Sequence, residues 1–122
     1  MERSDFLESV ISRDYIKTRK LIEEGANINQ SGVNEWTALH FAAQNNDVII
    51  GKLLIENGAS IDAQDKYGNS TLWRATFSSK GNGDFITMLL DAGANKNLNN
   101  LSGISPIELA RKISNYSVID FY

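Results

Sequence analysis

The sequence predicts an all-α fold, a solenoid of helix-turn-helix repeats linked by short hairpin-like turns. Three observations carry that prediction. The block Leu21-Ile22-Glu23-Glu24-Gly25-Ala26-Asn27-Ile28-Asn29 recurs as Leu54-Ile55-Glu56-Asn57-Gly58-Ala59-Ser60-Ile61-Asp62 and as Leu89-Leu90-Asp91-Ala92-Gly93-Ala94-Asn95-Lys96-Asn97. Its glycines, Gly25, Gly58 and Gly93, are spaced 33 and 35 residues apart. The helix starts at Thr37, Ser70 and Ser105 keep the same two offsets, so two independent marks share one phase.

Each element follows from its residues. The first helix is expected over 5–12 and the second over 15–24, where Leu21 and Ile22 close an amphipathic face on its core side. Gly25 then ends that helix, because a left-handed residue after the last turn costs glycine no Cβ clash. Ala26-Asn27-Ile28-Asn29 leaves it with turn-forming residues. Thr37-Ala38-Leu39-His40-Phe41-Ala42-Ala43 opens the next helix with Thr37 as N-cap. Ser70-Thr71-Leu72-Trp73-Arg74-Ala75 repeats the start. Ser105-Pro106-Ile107-Glu108-Leu109-Ala110 gives it again, with Pro106 at the first helical position and Glu108 placed to complete a capping box. Two extra residues near 77–82 lengthen the loop inside the third unit, and 78–83 reads as flexible.

The helices are expected to approach one another through Ala42, Ala43, Ala75 and Ala110. Leu39, Leu53, Leu54, Leu72, Met88, Leu89, Ile107 and Leu109 are expected to fill a continuous core, with Leu72 between two neighbours.

The spacing and the run Thr37-Ala38-Leu39-His40-Phe41-Ala42 resemble the ankyrin repeat family, whose unit of about 33 residues carries Thr-Pro-Leu-His-x-Ala. The resemblance covers nearly the whole chain. It implies one domain over 1–122, with units at about 1–33, 34–66, 67–101 and 102–122, the last truncated. Departures are visible: the first unit lacks the signature, and Trp73 and Glu108 stand where the family has His. Terminal units of such arrays differ because their outer faces meet water.

Composition narrows the function. The 122 residues contain no Cys, which excludes a disulfide framework and thiolate metal sites. Residues 1–13 lack the apolar core of a secretion signal, and the longest apolar run, 48–55, is broken by Gly51 and Lys52. The expectation is a cytoplasmic chain that enters no membrane. A net charge of −3 without a basic stripe speaks against nucleic-acid binding. The most acidic stretch sets Glu35, Asp47, Glu56, Asp62 and Asp65 against Lys52 and Lys66, a solvated face or one turned to a basic partner.

Catalysis finds no constellation. His40 is the one histidine, without a Cys or a serine elbow to activate. The family pattern implies that it bonds back toward Thr37. Asp62 and Asp65 lack the rest of a calcium loop, and Gly81-Asn82-Gly83 follows no strand and opens no phosphate cradle. No enzyme, cofactor or metal site is expected.

The resemblance implies a protein partner held by turn tips and first helices, which together line a concave face. Residue by residue, it points to Val33, Asn34 and Trp36, to Lys66, Tyr67 and Asn69, and to Leu101, Ser102 and Ile104 in the turns. On the helices it points to Gln44, Asn45, Trp73, Arg74, Phe77 and Ser78. Trp36 and Tyr67 are expected to be exposed; Trp73 and Phe77 could equally pack between units. Small bacterial chains of this kind are often immunity proteins that block a cognate toxin, so the resemblance implies an inhibitor that is a monomer when free. The alternatives are a scaffold or targeting protein, including a host-directed effector, and a self-associating repeat joined through Leu101, Ile104 or Phe121.

Overall fold

The computed structural model describes residues 4–113 and 117–122. Among them are seven α-helices: α1 (Asp5–Ile11), α2 (Tyr15–Glu23), α3 (Ala38–Gln44), α4 (Val48–Glu56), α5 (Thr71–Ser78), α6 (Asp84–Asp91) and α7 (Pro106–Lys112). They pack in sequential pairs, α1 with α2, α3 with α4 and α5 with α6. One row runs α1, α3, α5, α7; a second runs α2, α4, α6. The expected helix-turn-helix stack is therefore the observed one. No described helix is long and apolar enough to cross a membrane.

Side-chain oxygens start nearly every helix. Ser4, Asp14, Thr37, Asp47, Ser70 and Ser105 each accept the backbone N–H three residues on, satisfying a donor that has no partner inside the helix. The reciprocal capping box sits at Thr37, where the His40 imidazole accepts the Thr37 backbone N–H. At Ser105 the expected box is incomplete: the Glu108 carboxylate takes the Ser105 hydroxyl at 3.1 Å instead of the backbone N–H. Gly25, Gly58 and Gly93 have φ of +93°, +95° and +93°, the left-handed ending that their spacing predicts.

The core is a continuous seam of Leu39, Ile50, Leu54, Leu72, Phe85, Ile86 and Leu89, extended by Phe6, Leu7 and Val10 at one end and Val118 at the other. Leu53, Met88, Ile107 and Leu109 are half-buried, at the rim of the seam. The loop between α5 and α6 holds the extra residues, yet it is a bonded turn. The Asn82 N–H donates to the Ser79 carbonyl at 2.9 Å, Ser79 is buried, and the Phe121 ring lies against Gly83. Residues 118–121 form a short 3-10 turn that packs on α7. Beyond it, the Tyr122 hydroxyl meets Thr76 of α5, and burial pushes that phenol up to about 12. Residues 118–122 thus pack back on α5 and α7.

Candidate protein-binding surface

Between helix pairs the chain makes three hairpin-like turns on one plan. The Gly32, Asp65 and Asn100 N–H groups donate to the carbonyls of Trp36, Asn69 and Ile104, at 2.8, 2.9 and 3.0 Å. Neighbouring turns are stitched together: the Lys66 N–H donates to the Asn34 carbonyl, and the Leu101 N–H to the Tyr67 carbonyl. The tips are thereby held in a row beside the first-helix row.

His40 and Asp65 do the internal work of this surface. Asn69 offers only a carbonyl to the imidazole, so His40 Nε2–H donates to it at 3.0 Å and Nδ1 is left to accept from Thr37. Burial lowers the pKa of His40 and keeps it neutral, against the smaller raising effects of the Asn69 carbonyl and Asp65. Asp65 Oδ1 accepts the Tyr67 and Asn69 N–H groups, each at 2.9 Å, and Oδ2 accepts Trp36 Nε1–H at 2.9 Å.

These bonds correct the exposure expected of Trp36 and set Asn69 inside the turn. Trp36 is only 8% exposed, because its indole N–H reaches a carboxylate in the next turn and its ring packs edge-on to Phe41. Asn69 is also buried; its carbonyl serves His40 and its side chain accepts from Asn100. The acidic stretch is not one solvated face either, since Asp47 and Asp65 are internal, as a helix cap and a turn brace.

The remaining candidates divide by exposure. Val33, Asn34, Lys66, Tyr67 and Leu101 are exposed in the turns, and Gln44 and Phe77 on the first helices. Asn45, Trp73, Arg74, Ser78 and Ile104 are half-buried. Tyr67 and Phe77 retain 52% and 58% of their surface, which answers the open question for Phe77. A groove of about 720 Å³ opens beside the first turn, with Leu7, Ile11, Val33, Phe41 and Lys66 in its walls.

Sequence reasoning missed the arrangement around Arg74. Its guanidinium carbon lies 4.9 Å from the Trp36 ring centre, 5.4 Å from Trp73 and 5.2 Å from Phe77. Trp73 and Phe77 stack on each other one helical turn apart, at 5.5 Å and 10°. The signal was present in the spacing: aromatic residues at i and i+4 with Arg at i+1 share one side of a helix. Trp36, from another turn, could not be placed by spacing. Partial desolvation lowers the Arg74 pKa, with Asp65 acting the other way. Trp73 Nε1 and Arg74 Nε are sealed without hydrogen-bond partners, each costing about 1–3 kcal/mol.

A family model for ankyrin repeats, three copies, matches residues 10–100. The chain belongs to the ankyrin repeat family. Its curated relatives include an ankyrin repeat protein of Fowlpox virus, 26% identical over 90% of this chain and 19% of the relative. Another, from Rickettsia bellii, is 32% identical over 84% of this chain and 44% of the relative. A potassium channel of Arabidopsis thaliana is 36% identical over 64% of this chain and 9% of its own length. The chain thus spans less than half the length of each. Ankyrin repeats are protein–protein interaction modules, typically without catalysis, and that is the class of function the family match gives.

Proposed function

We propose that this ankyrin stack is a non-enzymatic inhibitor: it binds and neutralises one partner protein, as an immunity protein does its toxin, by occupying the partner's surface. Tyr67 and Phe77 carry the reading. Two large aromatic side chains stand more than half exposed, on a turn tip and a first helix, where burying them again would need a partner. Val33, Asn34, Lys66 and Leu101 extend the contact along the tips, and Gln44, Asn45, Trp73, Arg74 and Ile104 along the helices. With 6619 Å² of total surface, a standard patch of about 800 Å² needs a few tips and one helix face. Trp36 and Asn69 support this surface from beneath.

The test is capture from lysate of the native cell, followed by measured affinity. One stoichiometric partner whose activity falls on binding is the expected result. Tyr67→Ala and Phe77→Ala should each weaken that complex by about 2 kcal/mol if central. Recovery of a partner whose activity is unchanged would end the inhibitor reading. A second reading, a scaffold or targeting module, is favoured by the relatives, in one of which the matched stretch is 9% of the chain; an unchanged activity is its expected outcome.

A further inference from the structure

We propose that Arg74 is the specificity anchor of this binding surface, a preorganised receptor for a carboxylate side chain of the partner. The inference rests on the protein-binding reading and names the chemistry that the partner must bring. Three rings surround the guanidinium at 4.9 to 5.4 Å, from Trp36, Trp73 and Phe77. Rings that cover a planar cation restrain its orientation and leave its N–H edge as the route for a ligand. Among the described residues, none accepts a hydrogen bond from Arg74, and its Nη groups, unlike Nε, are not sealed from solvent. The nearby carboxylate, Asp65, is already committed to the indole of Trp36 and to the N–H groups of Tyr67 and Asn69. The cation is therefore ordered by aromatic contacts and feels the charge of Asp65, but no carboxylate is hydrogen-bonded to it.

The surrounding sequence supports the same conclusion. At the equivalent place one pair earlier, His40 bridges to the carbonyl of the next turn at 3.0 Å. Trp73 replaces that bridge with an indole whose N–H is sealed and unpaired. The exchange gives up a bond of the stack and gains one wall of the Arg74 cradle. A carboxylate matches the open edge of a guanidinium in plane, through two parallel N–H···O bonds. Phe77, 58% exposed beside it, suits an apolar residue next to the partner's Asp or Glu.

The probe is a pair of blocked tripeptides, acetyl-Leu-Glu-Leu-amide and its Gln counterpart, titrated into the full chain. The readouts are the Arg74 Nε–H and Trp73 indole resonances. The Glu peptide should shift both saturably and more weakly at high salt. The Gln peptide, and the Glu peptide on Arg74→Lys, should bind roughly tenfold or more weakly. Equal binding of the two peptides to the unaltered protein overturns the proposal without relying on any variant. A phosphoserine peptide that displaces the Glu peptide at lower concentration overturns it in favour of phosphate recognition. If the Glu peptide is silent while Tyr67→Ala still abolishes capture of a protein partner, the anchor falls and the binding module stands. If no protein is captured at all, the module reading itself fails.

Discussion

The second turn braces itself, whereas the first is braced by its neighbour. In the second, Asp65 takes two N–H groups of its own loop, and Gly68 occupies the left-handed corner at φ +79°. In the first, Gly32 stands at the carboxylate's place and Glu35 at the glycine's. Asn34 and Glu35 are both left-handed there, at φ +57° and +58°, and only the first is a residue type that tolerates it well. The first turn has its own backbone bonds, among them Gly32 N–H to the Trp36 carbonyl, but its added braces come from outside: the Trp36 indole on Asp65 and the Asn34 carbonyl on Lys66 N–H. One carboxylate thus serves two turns, and the stack shares its stability between neighbours as repeat arrays do.

Removing that carboxylate is the largest available break. Asp65→Ala orphans three N–H groups, two of them in buried bonds, and should cost about 3 kcal/mol in denaturant unfolding. Because the same group holds Trp36, the loss should appear in both turns, as faster amide exchange at Tyr67, at Asn69 and around Trp36. Loss confined to the second turn would show that the first is independent. Gly68→Ala comes next. A Cβ there would sit 2.7 Å from the Leu101 backbone nitrogen, at a φ that L residues resist. A loss of about 2 kcal/mol is expected, with the third turn displaced and the Leu101-to-Tyr67 bond weakened. Unchanged stability would mean that the tips are not rigidly stitched.

The same contrast explains what the sequence made legible. The helices, their caps and the stacking order were readable because each mark is local: Gly25, Gly58 and Gly93 end helices, and Thr37, Ser70 and Ser105 begin them. Burial of Trp36 was not readable, because its partner Asp65 lies 29 residues away and the Gly32 beside it carries no side chain to hint at a shared brace. Burial of Asn69 was not readable for the same reason, its carbonyl being claimed by His40 of the preceding pair. Within the proposed binding surface, candidates on one loop or one helix face, such as Tyr67, Lys66 and Phe77, are exposed. The Arg74 cradle needed Trp36 as a third wall, which no period in the sequence brings to α5.

The bond from His40 to Asn69 couples a helix to the self-braced turn, and it can be tested by acid. The His40 pKa is lowered chiefly by burial, so the unfolded chain takes up this proton at a higher pH than the folded one. Its contribution is complete above the ordinary histidine value and is lost as pH falls through that value toward the lowered one. Protonation also ends acceptance of the Thr37 N–H at Nδ1, undoing the capping box. Thermal unfolding of the protein should fall with acid from about pH 6.5 downward, more steeply than for His40→Gln, whose amide does not titrate. Parallel profiles would show that the imidazole is not buried neutral.

The smallest expected effect has the opposite sign. Glu35 has its left-handed backbone where the equivalent residues, Gly68 and Gly103, are glycines at φ +79° and +76°. Left-handed geometry costs a non-glycine about 1–2 kcal/mol, and glycine returns part of that gain through a more mobile unfolded chain. Glu35→Gly should therefore stabilise the protein by roughly 0.5 kcal/mol. Glu35 is exposed and its side chain accepts none of the hydrogen bonds that order the turn, so the exchange removes strain without removing a brace. A clear destabilisation would mean that the carboxylate supports the first turn through contacts beyond its backbone. Adding Glu35→Gly to Asp65→Ala sharpens the comparison further. If the first turn depends on its neighbour, relieving its strain should matter more once that neighbour's brace is gone.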